Sequence, residues 1–142
     1  PLIQHSVPDA KFYIVGAQVP LSIQRMASDN VIITGYVKDL QAEIEDSCVA
    51  VAPVYVAAGI QNKVLTAMSC GLPIVLTSLI SNAIPELKDK ENCRIEDEPK
   101  GIANAIIEII KNPKERERLS IAGYEIAKSQ YCWHKKLENY IN

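Results

Sequence analysis

AAGIQNKVLTAMSCGLPIV, residues 57–75, decides how the rest of the sequence reads. Ile60, Val64 and Met68 fall on one helical stripe with Leu65 and Ala67 beside it, so the run predicts a deeply packed helix. Gly71 suits the left-handed residue after its last turn, and Pro73 bars continuation. The apolar run PIVLT (73–77) then reads as a strand. Lys63 lies in the opening turn, where the aligned peptide dipoles are already positive, and a cation there costs roughly 0.3–1 kcal/mol at an exposed position. Small residues at 57 to 59 leave the free backbone N–H groups of that turn open, and no Asp or Glu stands there to accept from them. An arriving anion would satisfy the amides and the lysine together. A solvated Lys63 with Asn62 as an ordinary N-cap accounts for the same residues equally well.

Outward from this stretch, short β-rich runs alternate with amphipathic segments. KFYIVG (11–16), VIITG (31–35), CVAVAP (48–53) and NCRIE (92–96) predict four more strands. QRMAS, DLQAEIEDS and NKVLTAMSC predict the crossover helices, giving the order βαβαβαβ around a buried, mostly parallel sheet. Beyond the last strand the pattern is helical. Asp97 precedes a run with Ile102, Ile106, Ile109 and Ile110 on one face, and Asn112-Pro113 caps a helix carrying Leu119, Ala122 and Ile126. A final segment places Trp133, Leu137, Tyr140 and Ile141 at helical spacing.

The 142 residues, 48% hydrophobic and 23% charged, predict a single α/β domain over 1–142. A net charge of −2 supplies no field for nucleic acid or anionic membrane, so any anion site is local. Cys48, Cys70, Cys93 and Cys132 form no CxxC pair and read as reduced core or half-buried thiols of a cytoplasmic protein. No apolar run approaches the roughly 20 residues of a membrane span, and no secretory signal is evident. The opening PLIQHSVPDA, without an initiating methionine, reads as the start of a fragment. His5 and His134 read as surface residues, and acidic residues do not cluster near the candidate loops, so no metal is expected. GxxxxGK[ST], GxGxxG and GxSxG are absent, which argues against P-loop, dinucleotide and serine-hydrolase chemistry.

In an open α/β sheet ligands bind beyond the carboxyl ends of the strands. Two further loops fall there. Gly16-Ala17-Gln18 has a glycine that permits a sharp turn, and Gly35-Tyr36-Val37-Lys38-Asp39 carries Asp39 or Lys38 as a helix cap.

The residues Gly59-Ile60-Gln61-Asn62-Lys63-Val64-Leu65-Thr66-Ala67-Met68, followed by Gly71-Leu72-Pro73-Ile74-Val75, resemble the donor-binding signature of group 1 retaining glycosyltransferases of the GT-B fold, approximately G-x-x-N-K-x-L-E-A-M-x-x-G-x-P-V-V. Pro8-Asp9-Ala10, the strand end Ile14-Val15-Gly16, the Gly35 to Asp39 loop and Asn112-Pro113 extend the similarity over essentially the whole chain. The resemblance implies the C-terminal, Rossmann-like half of such an enzyme, lacking its first strand, most of its first helix and the N-terminal acceptor domain. It implies that Gly16, Gly59, Ile60, Gln61, Asn62 and Lys63 hold the diphosphate of a UDP- or GDP-linked sugar. Lys63 would stabilise the charge that builds on the leaving group. Tyr36 and Val37 would hold the nucleobase. No cofactor beyond this substrate is implied.

The sequence departs from the family where many members carry two glutamates eight positions apart, for here Ala58 and Thr66 stand. Threonine offers one hydroxyl and cannot accept the two charge-assisted bonds from ribose that a glutamate does. Two readings therefore stand: the donor half of a nucleotide-sugar transferase, as in bacterial polysaccharide synthesis, or a non-catalytic module of the same fold that binds a nucleotide or a protein.

Overall fold

The computed structural model describes residues 1–56 and 62–131. The chain divides into two compact units, Pro1–Asp46 and Ser47–Asn142.

The first unit runs α1 (Leu2–Ser6), β1 (Phe12–Val15), α2 (Leu21–Gln24), β2 (Val31–Gly35) and α3 (Leu40–Ile44). β1 and β2 pair in parallel, Phe12 opposite Val31. Between Ile14 and Val15 the register shifts, so that Thr34 is the extra residue on β2. The Asn30 side-chain amide donates to the Ala10 carbonyl at 3.0 Å, holding the entry to β1. Gly35 ends β2 at φ +71°, in the left-handed region that glycine occupies without penalty. Asp39 caps α3 as expected, its carboxylate accepting from the Ala42 amide at 3.2 Å. The helix expected over QRMAS is displaced: α2 lies earlier, because Pro20 presets φ at −57° for its entry and Ser28 bridges back to Val31.

The second unit holds β3 (Ala50–Ala52), α4 (Asn62–Ser69), β4 (Ile74–Leu76), α5 (Ser78–Ala83), β5 (Arg94–Ile95), α6 (Pro99–Lys111) and α7 (Pro113–Tyr131). Its three strands form one parallel sheet in the order β3-β4-β5. α5 is not foreseen in the βαβαβαβ reading, since SLISNA is short and polar at alternate turns. Every buried residue among those described belongs to this unit. Met68, Ile74, Leu76, Ile80, Ile84, Ile109 and Leu119 are its largest fully enclosed apolar side chains, each contributing about 1.5–3 kcal/mol relative to exposure.

α4 buries Val64, Ala67 and Met68, as its stripe predicts. Gly71 ends it at φ +78°; its N–H reaches the Met68 carbonyl at 2.9 Å and the Leu72 N–H the Ala67 carbonyl at 3.1 Å, the two bonds of a Schellman motif. Against this helix lies α7, where Gly123 lets the chain approach Met68 and the Asn92 carbonyl: a Cβ there would stand 3.2 Å from that oxygen. Asn112 closes α6 and opens α7, its side chain accepting from the Glu115 amide at 3.2 Å.

Arg94 on β5 is buried and pairs with Glu108 of α6, with Asp89 and Glu96 each at 3.7 Å. Burial alone would lower its pKa, but the hydrogen bond and charge of Glu108 and the two further carboxylates raise it above the ordinary arginine value. Cys93 is buried, and desolvation, with the Asp89 charge adding, pushes its thiol up to about 12. Cys70 is half-buried. Cys48 is exposed, against the expectation of a core or half-buried thiol, because it lies in the bend before β3 rather than in the strand itself. Cys132 and the segment from Trp133 to Ile141 lie outside the described residues.

Candidate functional site

Parallel strands end on the same side, so β3, β4 and β5 deliver three loops to one edge of their sheet. Side chains tie these loops together. The Thr77 hydroxyl, fully buried after β4, donates to the Val54 carbonyl after β3. The Tyr55 hydroxyl donates to the Asp97 carbonyl after β5 at 3.0 Å. Asp97 in turn accepts the Ser78 N–H at 2.8 Å, placing a carboxylate at the amino end of α5. Asp97, expected from sequence ahead of the Ile102–Ile110 helix, has its carboxylate on α5 instead, while Glu98 is the residue that opens that helix. Thr77 and Tyr55 did not stand out from sequence; the available signal was a threonine and a tyrosine at strand ends, where hydroxyls replace the backbone ladder.

α4 starts from the same side with the opposite electrostatics. No acidic residue occupies its first turn. Asn62 and Lys63 are exposed, and Lys63 makes no hydrogen bond or ion pair with any described residue. Burial of Val64 fixes the helix rotation and turns Asn62 and Lys63 toward solvent. Thr66 sits one turn on from Asn62, half-buried, its hydroxyl donating to the Asn62 carbonyl at 2.9 Å. That proton is committed to the helix, leaving the oxygen only as an acceptor. Gly59, Ile60 and Gln61, expected to share the diphosphate with Asn62 and Lys63, lie outside the described residues.

In the first unit, Gly16 and Gly35 border a groove of about 400 Å³ beyond the carboxyl ends of β1 and β2, with Ala17, Ala27, Ile33 and Thr34 on its wall. The Gly16 N–H donates to the Gly35 carbonyl at 3.2 Å. The chain bends at Ala17, directly after Gly16, as the loop was expected to; the φ of Gly16 itself lies outside the left-handed region, and nothing stands within 4 Å of where a Cβ would project. The missing side chain leaves the groove open at this point. Tyr36 follows at 77% exposure and Val37 is half-buried; neither lines the groove. Structure thus brings together Gly16 with Gly35 in one unit, and Asn62, Lys63 and Thr66 in the other.

Among the described residues no cluster of three or more His, Cys, Asp and Glu is arranged to hold a metal, and no helix is long and apolar enough to cross a membrane.

The pattern that defines the glycosyl transferases, group 1, matches residues 1–112. The chain belongs to the group 1 glycosyltransferases. No curated protein matches it. Among solved structures, a mutant of S. aureus TarM in complex with fondaparinux, alpha-GlcNAc-glycerol and UDP is similar over 99% of this glycosyltransferase chain and 30% of its own, with 20% identity and a TM-score of 0.82. Anabaena HepE in complex with UDP is similar over 99% of this chain and 44% of its own, at 14% identity and TM-score 0.80. The C-terminal domain of a group 1 family protein, LpcC from Francisella tularensis, is similar over 93% of this chain and 75% of its own, at 18% identity and TM-score 0.77. The fold is the mixed α/β arrangement of parallel strands flanked by helices found in C-terminal GT-B domains. The glycosyltransferase chain spans 30% of the length of the TarM chain and 44% of the HepE chain.

Proposed function

We propose that this chain is the donor-binding half of a nucleotide-sugar glycosyltransferase. It takes the diphosphate of a UDP- or GDP-linked sugar at the amino end of α4, and the nucleobase beside Tyr36 and Val37. One observation carries the reading: in a group 1 chain, Lys63 stands exposed in a first turn without acidic residues or a described partner, whereas the neighbouring α5 start holds its own carboxylate. Preorganised amides and an ammonium group at that point favour charge developing on a departing diphosphate. Gly16, Gly59, Ile60, Gln61 and Asn62 complete the pyrophosphate contacts in this proposal. Transfer with retention, in bacterial polysaccharide synthesis and on the cytoplasmic side, is the role that follows from the family signature. The proposal routes no step through a metal, and turnover requires the N-terminal acceptor half. Support comes from solved relatives in complex with UDP, among them HepE with UDP-glucose.

Thr66 supports a second reading. Its hydroxyl proton is held by Asn62, so ribose meets a weak acceptor where a carboxylate would bind two hydroxyls, and the chain would serve as a non-catalytic nucleotide- or protein-binding module. Calorimetric titration of UDP, GDP, UDP-glucose and uridine into the chain tests the first reading. Diphosphates binding more tightly than uridine support it; no heat and no thermal stabilisation from any of them reject it.

A further inference from the structure

α4 carries an outer stripe below its open first turn. Val64, Ala67 and Met68 are turned into the core, which leaves Asn62, Thr66 and Ser69 on the other side at the i, i+4, i+7 spacing, the first and last of them exposed and Thr66 half-buried. No residue from Asn62 to Ser69 is acidic. Both hydroxyls on the stripe are committed to the helix itself: Thr66 donates to the Asn62 carbonyl at 2.9 Å and Ser69 to the Thr66 carbonyl at 2.8 Å. Each oxygen keeps only its lone pairs, in a setting that water reaches. The helix therefore offers a cation at its start and a neutral, weakly accepting surface one turn on.

That surface bears on the pentose of a nucleotide. A single methylene joins the α-phosphate to the sugar ring, and four residues of helix, about 6 Å of rise, separate Asn62 from Thr66. Telling ribose from 2′-deoxyribose takes an acceptor that the 2′-hydroxyl satisfies and that its absence leaves unpaired; a site holding such a group rejects the analogue by about 10⁴-fold or more. A neutral, solvated stripe has no such group to leave unpaired, and the hydroxyl that is present keeps its water.

We propose that this chain does not read the pentose 2′-hydroxyl at α4, and so takes 2′-deoxynucleoside-diphosphate sugars, thymidine diphosphate sugars among them, on equal terms with UDP-linked ones. The inference rests on the diphosphate lying at the first turn of α4 and extends that reading to a further class of donor. Thr66 is then suited to its ligand rather than a mark of lost activity: the C2′ methylene of a deoxyribose needs no partner, whereas a carboxylate in place of Thr66 would be desolvated by it without a bond in return.

Calorimetric titration of UDP, 2′-deoxy-UDP and inorganic pyrophosphate into residues 1–142, with Thr66→Glu and Thr66→Gln alongside, tests it. UDP and 2′-deoxy-UDP are expected to bind the unsubstituted chain with dissociation constants within about threefold of each other. A larger preference for UDP overturns the inference and leaves the diphosphate reading standing. Thr66→Glu supplies the missing acceptor, and is expected to raise the preference for UDP over 2′-deoxy-UDP to about tenfold or more. Thr66→Gln, whose amide cannot form an ion pair with Lys63, is expected to move the preference in the same direction by a smaller factor. Variants that are folded by circular dichroism and still treat the two nucleotides alike put the pentose away from Thr66, which overturns the inference. Silence from all three ligands, pyrophosphate included, removes the diphosphate from α4 and the inference with it.

Discussion

Replacing Lys63 by glutamine separates an anion-binding lysine from a solvated one, because the two predict opposite signs in two measurements. Lysine and glutamine have nearly equal helix propensity, so the substitution changes charge and little else in α4. Without ligand, removing a cation from a first turn that holds no acid to balance it stabilises the chain by roughly 0.3–1 kcal/mol. For a chain of this size that raises the melting midpoint by about 1–3 °C. The gain should shrink as salt is added, since the turn is exposed and screening is effective there. With a nucleoside diphosphate the sign reverses. Loss of one charge-assisted hydrogen bond costs roughly 1.5–3 kcal/mol, or about 10- to 150-fold in Kd, while uridine, which lacks the phosphates, should bind unchanged. Circular-dichroism melts at two ionic strengths, with calorimetry of UDP and uridine, give all the quantities. A melt that falls, together with a UDP affinity that does not move, would refute the placing of a diphosphate at this turn.

Other substitutions test the frame that holds the site. Thr77→Val should destabilise by about 1–3 kcal/mol in denaturant unfolding, because the Val54 carbonyl loses its donor in a buried setting. Gly71→Ala should cost about 1–2 kcal/mol, a charge on backbone geometry alone, since the nearest neighbour of the added methyl, the Ser120 hydroxyl, lies 3.6 Å away. Maleimide at neutral pH should label Cys48 and spare Cys93 until the chain is unfolded, the thiolate of Cys93 being negligible with a pKa near 12; rapid labelling of Cys93 in the native state would contradict its burial. The hydrogen bond from Arg118 holds the Glu115 carboxyl below its ordinary value of 4.5, so the stabilisation it lends α7 is present above that value and fades as pH falls through the depressed one. Glu115→Gln should flatten that acid limb of the stability curve.

Sequence was most informative where a residue's role is local. The stripe of Val64 and Met68, the left-handed Gly71, the Asp39 cap and the Asn112 junction all follow from spacing and backbone chemistry, and each stands where it was expected. α5 was hidden because six residues with serine and asparagine among them carry no periodic signal; Asp97 gives it a cap from nineteen positions away. The Tyr55 tether is likewise long-range, joining residues forty-two positions apart. α2 was misplaced because the fixed φ of Pro20 outweighed the helical pattern of the residues that follow. VIITG was legible as a strand, yet it is only half-buried along its whole length, which the apolar run does not reveal. Of the candidate site, the exposed position of Lys63 in a first turn without acidic residues was legible and the occupation of Thr66 by Asn62 was not, since a back-bonded hydroxyl looks the same in sequence as a free one.

The carboxylate of Asp97 on the Ser78 amide has a consequence for any polyanion that reaches this side of the sheet. An incoming phosphoryl group competing for α5 must displace a tethered competitor whose effective concentration is in the millimolar range or above. The first turn of α4, by contrast, carries no acidic residue of its own. Two helix starts on one side of the sheet are thereby made unequal toward an anion: that of α5 is already answered by a carboxylate, and that of α4 has none in its own first turn.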